Sequence, residues 1–257
     1  MEHKNTSYMS TFFYKPTIFD QFSNLIAAES TRDGGVSPSP FSSLNLSLRV
    51  GDADANVLEN RKRFLGGLGV DLSQLATSHQ VHGDKVLYVI EPGDYSGFDA
   101  LVTDQKNIFV AVSVADCTPI LLYDAANEVV AAVHAGWRGT VDGIVYKTLE
   151  TMQDHFGTQP EQCYAYIGTC IDECSFEVNA DVADHFPKEF KRFDTDLNKF
   201  LVDLKGGNKD QLREFGIPDN QIEISSFSTV LHNDRYFSHR KEKGQTGRMM
   251  AGIGMGD

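Results

Sequence analysis

The sequence contains no HxH, HExxH or CxxC motif and no apolar stretch near the roughly 18 residues of a membrane span, so a helical membrane protein is excluded. Four cysteines in 257 residues are too few for a disulfide framework. Cys117, Cys163, Cys170 and Cys174 are therefore expected as thiols or metal ligands. Positive charge is also scarce. The 23 Lys and Arg against 36 Asp and Glu leave a formal net charge of −13. That balance argues against nucleic-acid binding, because a phosphate backbone is held mainly by excess Lys and Arg. Any anionic substrate must then meet local arginines. The opening "MEHKNTSYMSTFFYKPTIF" lacks the basic end and continuous apolar core of a secretory signal, which makes the cytoplasm the expected compartment.

What remains is ordinary for a globular chain, with 41% hydrophobic and 23% charged residues. No stretch reads as a linker and no solenoid repeat is evident, so residues 1–257 are expected to form a single domain. Strand-like runs occur at "SHQVH", "KVLYVIE", "NIFVAVSVAD", "PILLYD", "EVVAAVHA", "CYAYIG" and "QIEISSF". Helical patterns are interspersed without strict alternation. The expected class is α+β, a single domain with mixed β-sheets flanked by helices.

Three helices are predicted. In one, Val141, Ile144, Val145, Leu149, Met152 and Phe156 recur at helical spacing and Gly157 supplies the stop. A second spans about 53–65, with Asp52 or Asp54 as cap and Val57, Leu58, Phe64 and Leu65 as its apolar stripe. Arg61 lies on that stripe, so its guanidinium points inward and needs an anionic or hydrogen-bonding partner. In the third, "LVDLKGGNKDQLREFG", Gly206 and Gly207 each cost about 1 kcal/mol relative to Ala, and a break is expected there.

Three residues with metal-ligand chemistry sit at the ends of strand-like runs: His82 before a Gly83-Asp84 hairpin-type pair, Cys117 after "VAVSVAD", and His134 after "VVAAV". If they converge, two imidazoles and a thiolate make a three-ligand zinc site with a fourth position for water. The same residues read equally well as a metal-free Cys117 nucleophile activated by His134 or His82. Spacing alone leaves a third reading, three ordinary core residues. Beyond His134, the "GWRGT" turn and Arg138 would face an anion at a helix N-terminus, or Arg138 is merely solvated. The run "RYFSHRKEKGQTGRMMAGIG" gathers Arg235, Arg240 and Arg248 and reads as a loop closing over a ligand, or merely as a solvated basic face. Cys170 and Cys174 are expected as free thiols, and Asp116 and Glu177 as candidate acid, base or orienting groups.

Taken in order, "GGVSPSPFSSLNL", "GDADANVLENRKRF", "HQVHG", "ADCTPILLYD", "VHAGWRGT", "IGTCIDECSFEV" and "FSHRKEKGQTGRM" resemble the YfiH family of laccase-domain proteins across about residues 33–250. The resemblance implies a CNF1/YfiH-like fold and a zinc site made by His82, Cys117 and His134. It also implies purine nucleoside chemistry: phosphorolysis of adenosine, inosine, guanosine and methylthioadenosine, and hydrolytic deamination of adenosine. Arg61, Arg138, Arg240 and Arg248 would then bind phosphate or substrate. The expected partners are small molecules, a purine nucleoside and phosphate, with neither nucleic acid nor membrane, and the chain is expected as a monomer or homodimer.

A laccase name invites copper, which can substitute at such a site. The absence of HxH motifs argues against a trinuclear copper cluster and polyphenol oxidation. Some relatives are linked instead to editing of cell-wall precursors, an amide hydrolysis, and a non-enzymatic metal-binding adaptor is a further alternative. The chain departs from the family in "SHRK", which places His239 where Tyr is usual, and in "IGTC", which replaces a proline-containing turn.

Overall fold

The computed structural model describes residues 12–257. Most of the opening segment read above for a secretory signal, residues 1–11, lies outside the described residues. Two six-stranded sheets and one three-stranded sheet make up the β structure. In spatial order the first sheet is Phe13–Tyr14, Leu25–Ser30, Met249–Met255, Phe109–Val114, Leu75–His79 and Gly93–Ser96. The second is Ile222–Ile224, Cys163–Ile167, Thr118–Asp124, Val129–Ala135, Ala100–Thr103 and Val86–Tyr88. Both sheets are mixed. Leu75–His79 runs parallel to both neighbours, while Thr118–Asp124 and Val129–Ala135 are antiparallel. The small sheet joins Glu177–Val178, Lys199–Val202 and Lys191–Asp194.

Alternating side chains place the layers. Val110 and Val112 meet Leu121, Tyr123, Val130 and Ala132 between the large sheets. Their neighbours Phe109 and Ala111 turn the other way, onto Phe64 and Leu65 of the helix Asp54–Leu68. On the far side, Ile120, Leu122, Val129, Ala131 and Val133 pack on Ile144, Val145, Leu149 and Met152 of the helix Ile144–Phe156 and on Leu212 of the helix Leu204–Phe215. The order is helix, sheet, sheet, helices, an α+β fold. Because both faces of each central strand are covered, the apolar runs lack a polar alternate and read as continuous. Each fully buried Val, Leu or Ile contributes roughly 1.5–3 kcal/mol.

Several local expectations hold and several are corrected. The helix stopped by Gly157 is present, with Gly157 left-handed at φ 73°. Val141, however, ends a separate turn, Trp137–Val141, because Gly143 at φ 76° breaks the run. Asp54–Leu68 starts from Ala53 with no side-chain cap. Asp52 instead accepts from Ser37 Oγ at 2.6 Å and Asn45 Nδ2 at 3.0 Å, pinning the preceding loop. Leu58, expected on the buried stripe, is exposed.

The break expected at Gly206-Gly207 does not occur. Asp203 caps the helix by accepting from Gly206 N at 2.9 Å, and a Cβ on Gly206 would fall 2.4 Å from that carboxylate. Gly207 lets the helix lie against Thr140. Here close approach outweighs the propensity cost. Gly83-Asp84 forms no hairpin, since the strands on either side belong to different sheets. The end of the C-terminal run, "MMAGIG", is not a loop but lies in the fully buried strand Met249–Met255 inside the first sheet. Among the described residues no helix is long and apolar enough to cross a membrane.

Candidate functional site

The chain crosses from the first sheet to the second through Ala115, Asp116 and Cys117, between Phe109–Val114 and Thr118–Asp124. His134 lies in the neighbouring strand Val129–Ala135, where Pro119 is its register partner. His82 lies three residues beyond the strand Leu75–His79, at φ 59°. These positions bring one ligand atom from each of His82, Cys117 and His134 within 4.8 Å of one another. The two imidazoles stand nearly perpendicular, with centroids 4.9 Å apart. Gly136 closes the back of the trio: a Cβ there would lie 3.1 Å from His82 Cδ2 and 3.3 Å from Cys117 Sγ.

Asp99, which no motif or spacing singles out, anchors this arrangement. It is fully buried at the start of Ala100–Thr103. Its Oδ1 accepts from His134 Nδ1 at 2.8 Å and from the His82 N–H at 2.9 Å. Its Oδ2 accepts from the N–H groups of Val81 at 3.1 Å and Gly83 at 2.9 Å. Burial alone would raise this carboxylic acid's pKa, but His134 and the backbone donors hold it below the usual range. Burial also opposes ionisation of the Cys117 thiol, yet His134 and then His82 more than reverse that and lower its pKa. His134 responds reciprocally: against burial, Cys117 and Asp99 favour its protonated form.

Two histidines and a thiol of lowered pKa, one imidazole held by a buried carboxylate, are a donor set suited to zinc, and less selectively to copper. Cys163 and Cys170 sit apart in the core, where burial raises both thiols to about 12. All four cysteines are free thiols.

The trio opens into a cleft of about 450 Å³ that Arg49, Arg61, Arg240 and Arg248 also line. Arg61 is largely buried, its Nε donating to the Leu46 carbonyl at 2.9 Å. Its inward guanidinium thus finds the hydrogen-bonding partner its place on the helix demands. Burial, with Arg49 nearby, lowers its pKa, against the opposing pull of Asp94. Arg248 donates to the carbonyls of Thr246 and Gly247 and lies near enough to Cys117 and Asp116 to feel both charges. Arg240 is exposed on the rim, donating to the Glu177 carbonyl at 3.2 Å, with its guanidinium over Phe176.

Arg138 is not brought into the cleft. It is exposed and stacks on Trp137 at 4.4 Å. Arg235 packs over Phe227 at 5.3 Å, away from the lining. His239 does line the cleft. Asp116 is committed to structure: Oδ1 accepts from Thr229 and Ser238, and Oδ2 from the Arg240 N–H. Arg49, paired with Asp94 at 2.7 Å, is a cleft residue the sequence reading did not select. No local spacing signals it, because loop 47–50 reaches the cleft only through tertiary packing.

Comparison with known proteins identifies the family. The family model described as multi-copper polyphenol oxidoreductase laccase matches residues 26–256. The chain is 33% identical to the purine nucleoside phosphorylase YlmD of Bacillus subtilis, over 90% of this chain and 88% of that protein. It is 37% identical to a purine nucleoside phosphorylase of Deinococcus radiodurans, over 89% and 88%. Among solved structures, the YfiH protein of Bacillus licheniformis superposes with a TM-score of 0.91 at 31% identity, covering 96% of this chain and 97% of that one. YlmD of Geobacillus stearothermophilus superposes with a TM-score of 0.90 at 32% identity, over 96% and 97%. With nearly the whole chain matched in sequence and in fold, the protein belongs to the multi-copper polyphenol oxidoreductase laccase family, that of the YfiH and YlmD proteins.

Proposed function

We propose that this chain is a zinc-dependent purine nucleoside enzyme, a single catalytic domain over residues 1–257. It cleaves adenosine, inosine, guanosine or methylthioadenosine with phosphate and also deaminates adenosine. The observation that carries this reading is one cleft lined both by the His82, Cys117 and His134 trio and by Arg61, Arg240 and Arg248. Relatives named purine nucleoside phosphorylase supply the reaction class.

In phosphorolysis a phosphate oxygen bonds to the ribose carbon as the bond from that carbon to the base breaks, and the purine leaves with the electron pair. The dianion must be held and oriented in a chain with net charge −13, so local arginines do that work. Arg61 is best placed, because one nitrogen is spent on Leu46 and burial strengthens what the other two can do. Arg248 adds a second positive charge beside Cys117. Zinc, when bound, supplies a Lewis acid between His82, Cys117 and His134.

The test is metal content by mass spectrometry, then adenosine or inosine incubated with and without phosphate and resolved by chromatography. We expect about one zinc per chain, free base formed with phosphate, and loss of both metal and turnover in Cys117→Ala. Arg61→Ala should lower phosphorolysis about a hundredfold. Stoichiometric zinc without nucleoside turnover would overturn the substrate assignment and favour precursor editing or an adaptor role. Unchanged phosphate dependence in Arg61→Ala would remove that residue from the site.

The chain Asp99, His134, Cys117 favours one second reading, a metal-independent cysteine hydrolase. It predicts activity that survives chelation and dies on alkylation of Cys117.

A further inference from the structure

We infer that Asp99 is the positioning residue of the metal centre, a single buried carboxylate that sets both histidine arms at once. The inference rests on the metal reading above and concerns how the ligands are held before any ion arrives.

Two links make the case. The first is to His134. An ionised carboxylate only accepts hydrogen bonds, so His134 must present Nδ1–H to Asp99 Oδ1, 2.8 Å away. Nε2 then faces the trio, and it is this nitrogen that gives up any proton when a metal binds. The opposite tautomer would set a lone pair against the carboxylate oxygen. The His134 backbone N–H also donates to the Asp99 carbonyl at 2.7 Å, so ring and main chain are fixed by one residue.

The second link is to His82. Three successive N–H groups, of Val81, His82 and Gly83, converge on the same carboxylate at 2.9–3.1 Å. Such a backbone concavity holds an anion, and here the anion is built in. It offsets the cost of φ 59° at His82, a left-handed conformation unusual for a residue with a Cβ. The ligand His82 therefore hangs on a loop whose shape depends on Asp99. Four donors fill the carboxylate's four acceptor sites, leaving it nothing else to do.

Asp99→Asn keeps the shape and replaces one oxygen with a donor. Placed towards Val81 and Gly83, the amide meets two N–H groups; placed the other way, it faces the His82 N–H and turns His134 to the Nε2–H tautomer. Either placement spoils one arm. The experiment measures zinc affinity by chelator competition, and the nitrogen-15 imidazole shifts of His134 in metal-free protein. Zinc binding should weaken about ten- to a hundredfold in Asp99→Asn, with His134 shifting away from Nδ1–H. Where the variant unfolds, the imidazole spectrum of wild-type metal-free protein decides alone: a proton on His134 Nδ1, with or without one on Nε2, supports the assignment, and an unprotonated Nδ1 overturns it. Zinc affinity within twofold of wild type in a folded Asp99→Asn, with the tautomer unchanged, also overturns it and leaves the metal reading intact. Wild-type protein that binds no zinc overturns both.

Discussion

Across 124 residues of sequence, Oδ2 of Asp116 accepts the backbone N–H of Arg240 at 2.6 Å. The residue that precedes Cys117 thus fastens the arginine-bearing C-terminal segment to the strand crossing that carries the thiol. Oδ1 adds the hydroxyls of Thr229 at 2.6 Å and Ser238 at 2.8 Å. Asp116 accepts all three from a left-handed backbone at φ 86°.

Asp116→Ala should therefore destabilise the protein by about 3 kcal/mol, three hydrogen bonds at roughly 1 kcal/mol each. Urea denaturation measures this. A change below about 0.5 kcal/mol would mean that the C-terminal wall is held by other contacts, such as those of Glu242 with Arg32, Ser238 and Thr246.

Gly136→Ala gives a steric test of the trio. Gly136 has φ −70°, so alanine meets no backbone strain, and only the new Cβ matters, 3.1 Å from His82 and 3.3 Å from Cys117 Sγ. We expect zinc affinity to fall at least about tenfold, since ligands must sit within about 0.5 Å of their productive geometry. The melting temperature of the metal-free protein should barely move. Unaltered affinity would show that the two ligands shift without cost.

The four thiols should separate by reactivity. In metal-free protein Cys117 should alkylate first, and should stay reactive at pH values where an ordinary thiol is protonated, because the two imidazoles favour its thiolate. Cys163 and Cys170, buried and raised to about 12, should stay unmodified until the protein unfolds. Exposed Cys174 donates to Asp172 at 2.5 Å, which raises its pKa and should make it slower than Cys117. Peptide mapping after a timed iodoacetamide pulse reads the order, and zinc should protect Cys117 alone.

Stability should also carry a pH signature from Glu29. This carboxyl is fully buried, and desolvation raises its pKa from 4.5 despite hydrogen bonds from Tyr166 and Thr169. Below pH 4.5 it is protonated in folded and unfolded chains alike, and its contribution is complete. As pH rises the unfolded chain ionises first, so that contribution is lost progressively towards the folded value, by at most about 1.4 kcal/mol per pH unit. Glu29→Gln should flatten this fall above pH 4.5 in urea titrations. An equal slope in both proteins would mean that other groups set it.

Much of the fold was legible because central strands covered on both faces leave long apolar runs and because Gly157 stops its helix in the left-handed conformation. The break expected at Gly206 and the loop expected at Met249–Met255 went the other way for reasons outside any local window: Asp203 and Thr140 need those glycines' space, and the last strand finds both its partners, Leu25–Ser30 and Phe109–Val114, far back in the chain. The sequence by itself determined which donors are available, since thiol, imidazole and guanidinium chemistry belongs to residue type. Only the tertiary structure decided which of them meet. It drew His82, Cys117 and His134 within 4.8 Å, left Arg138 outside on Trp137, and enlisted Asp99, because proximity between strands of different sheets is set by packing and not by spacing along the chain.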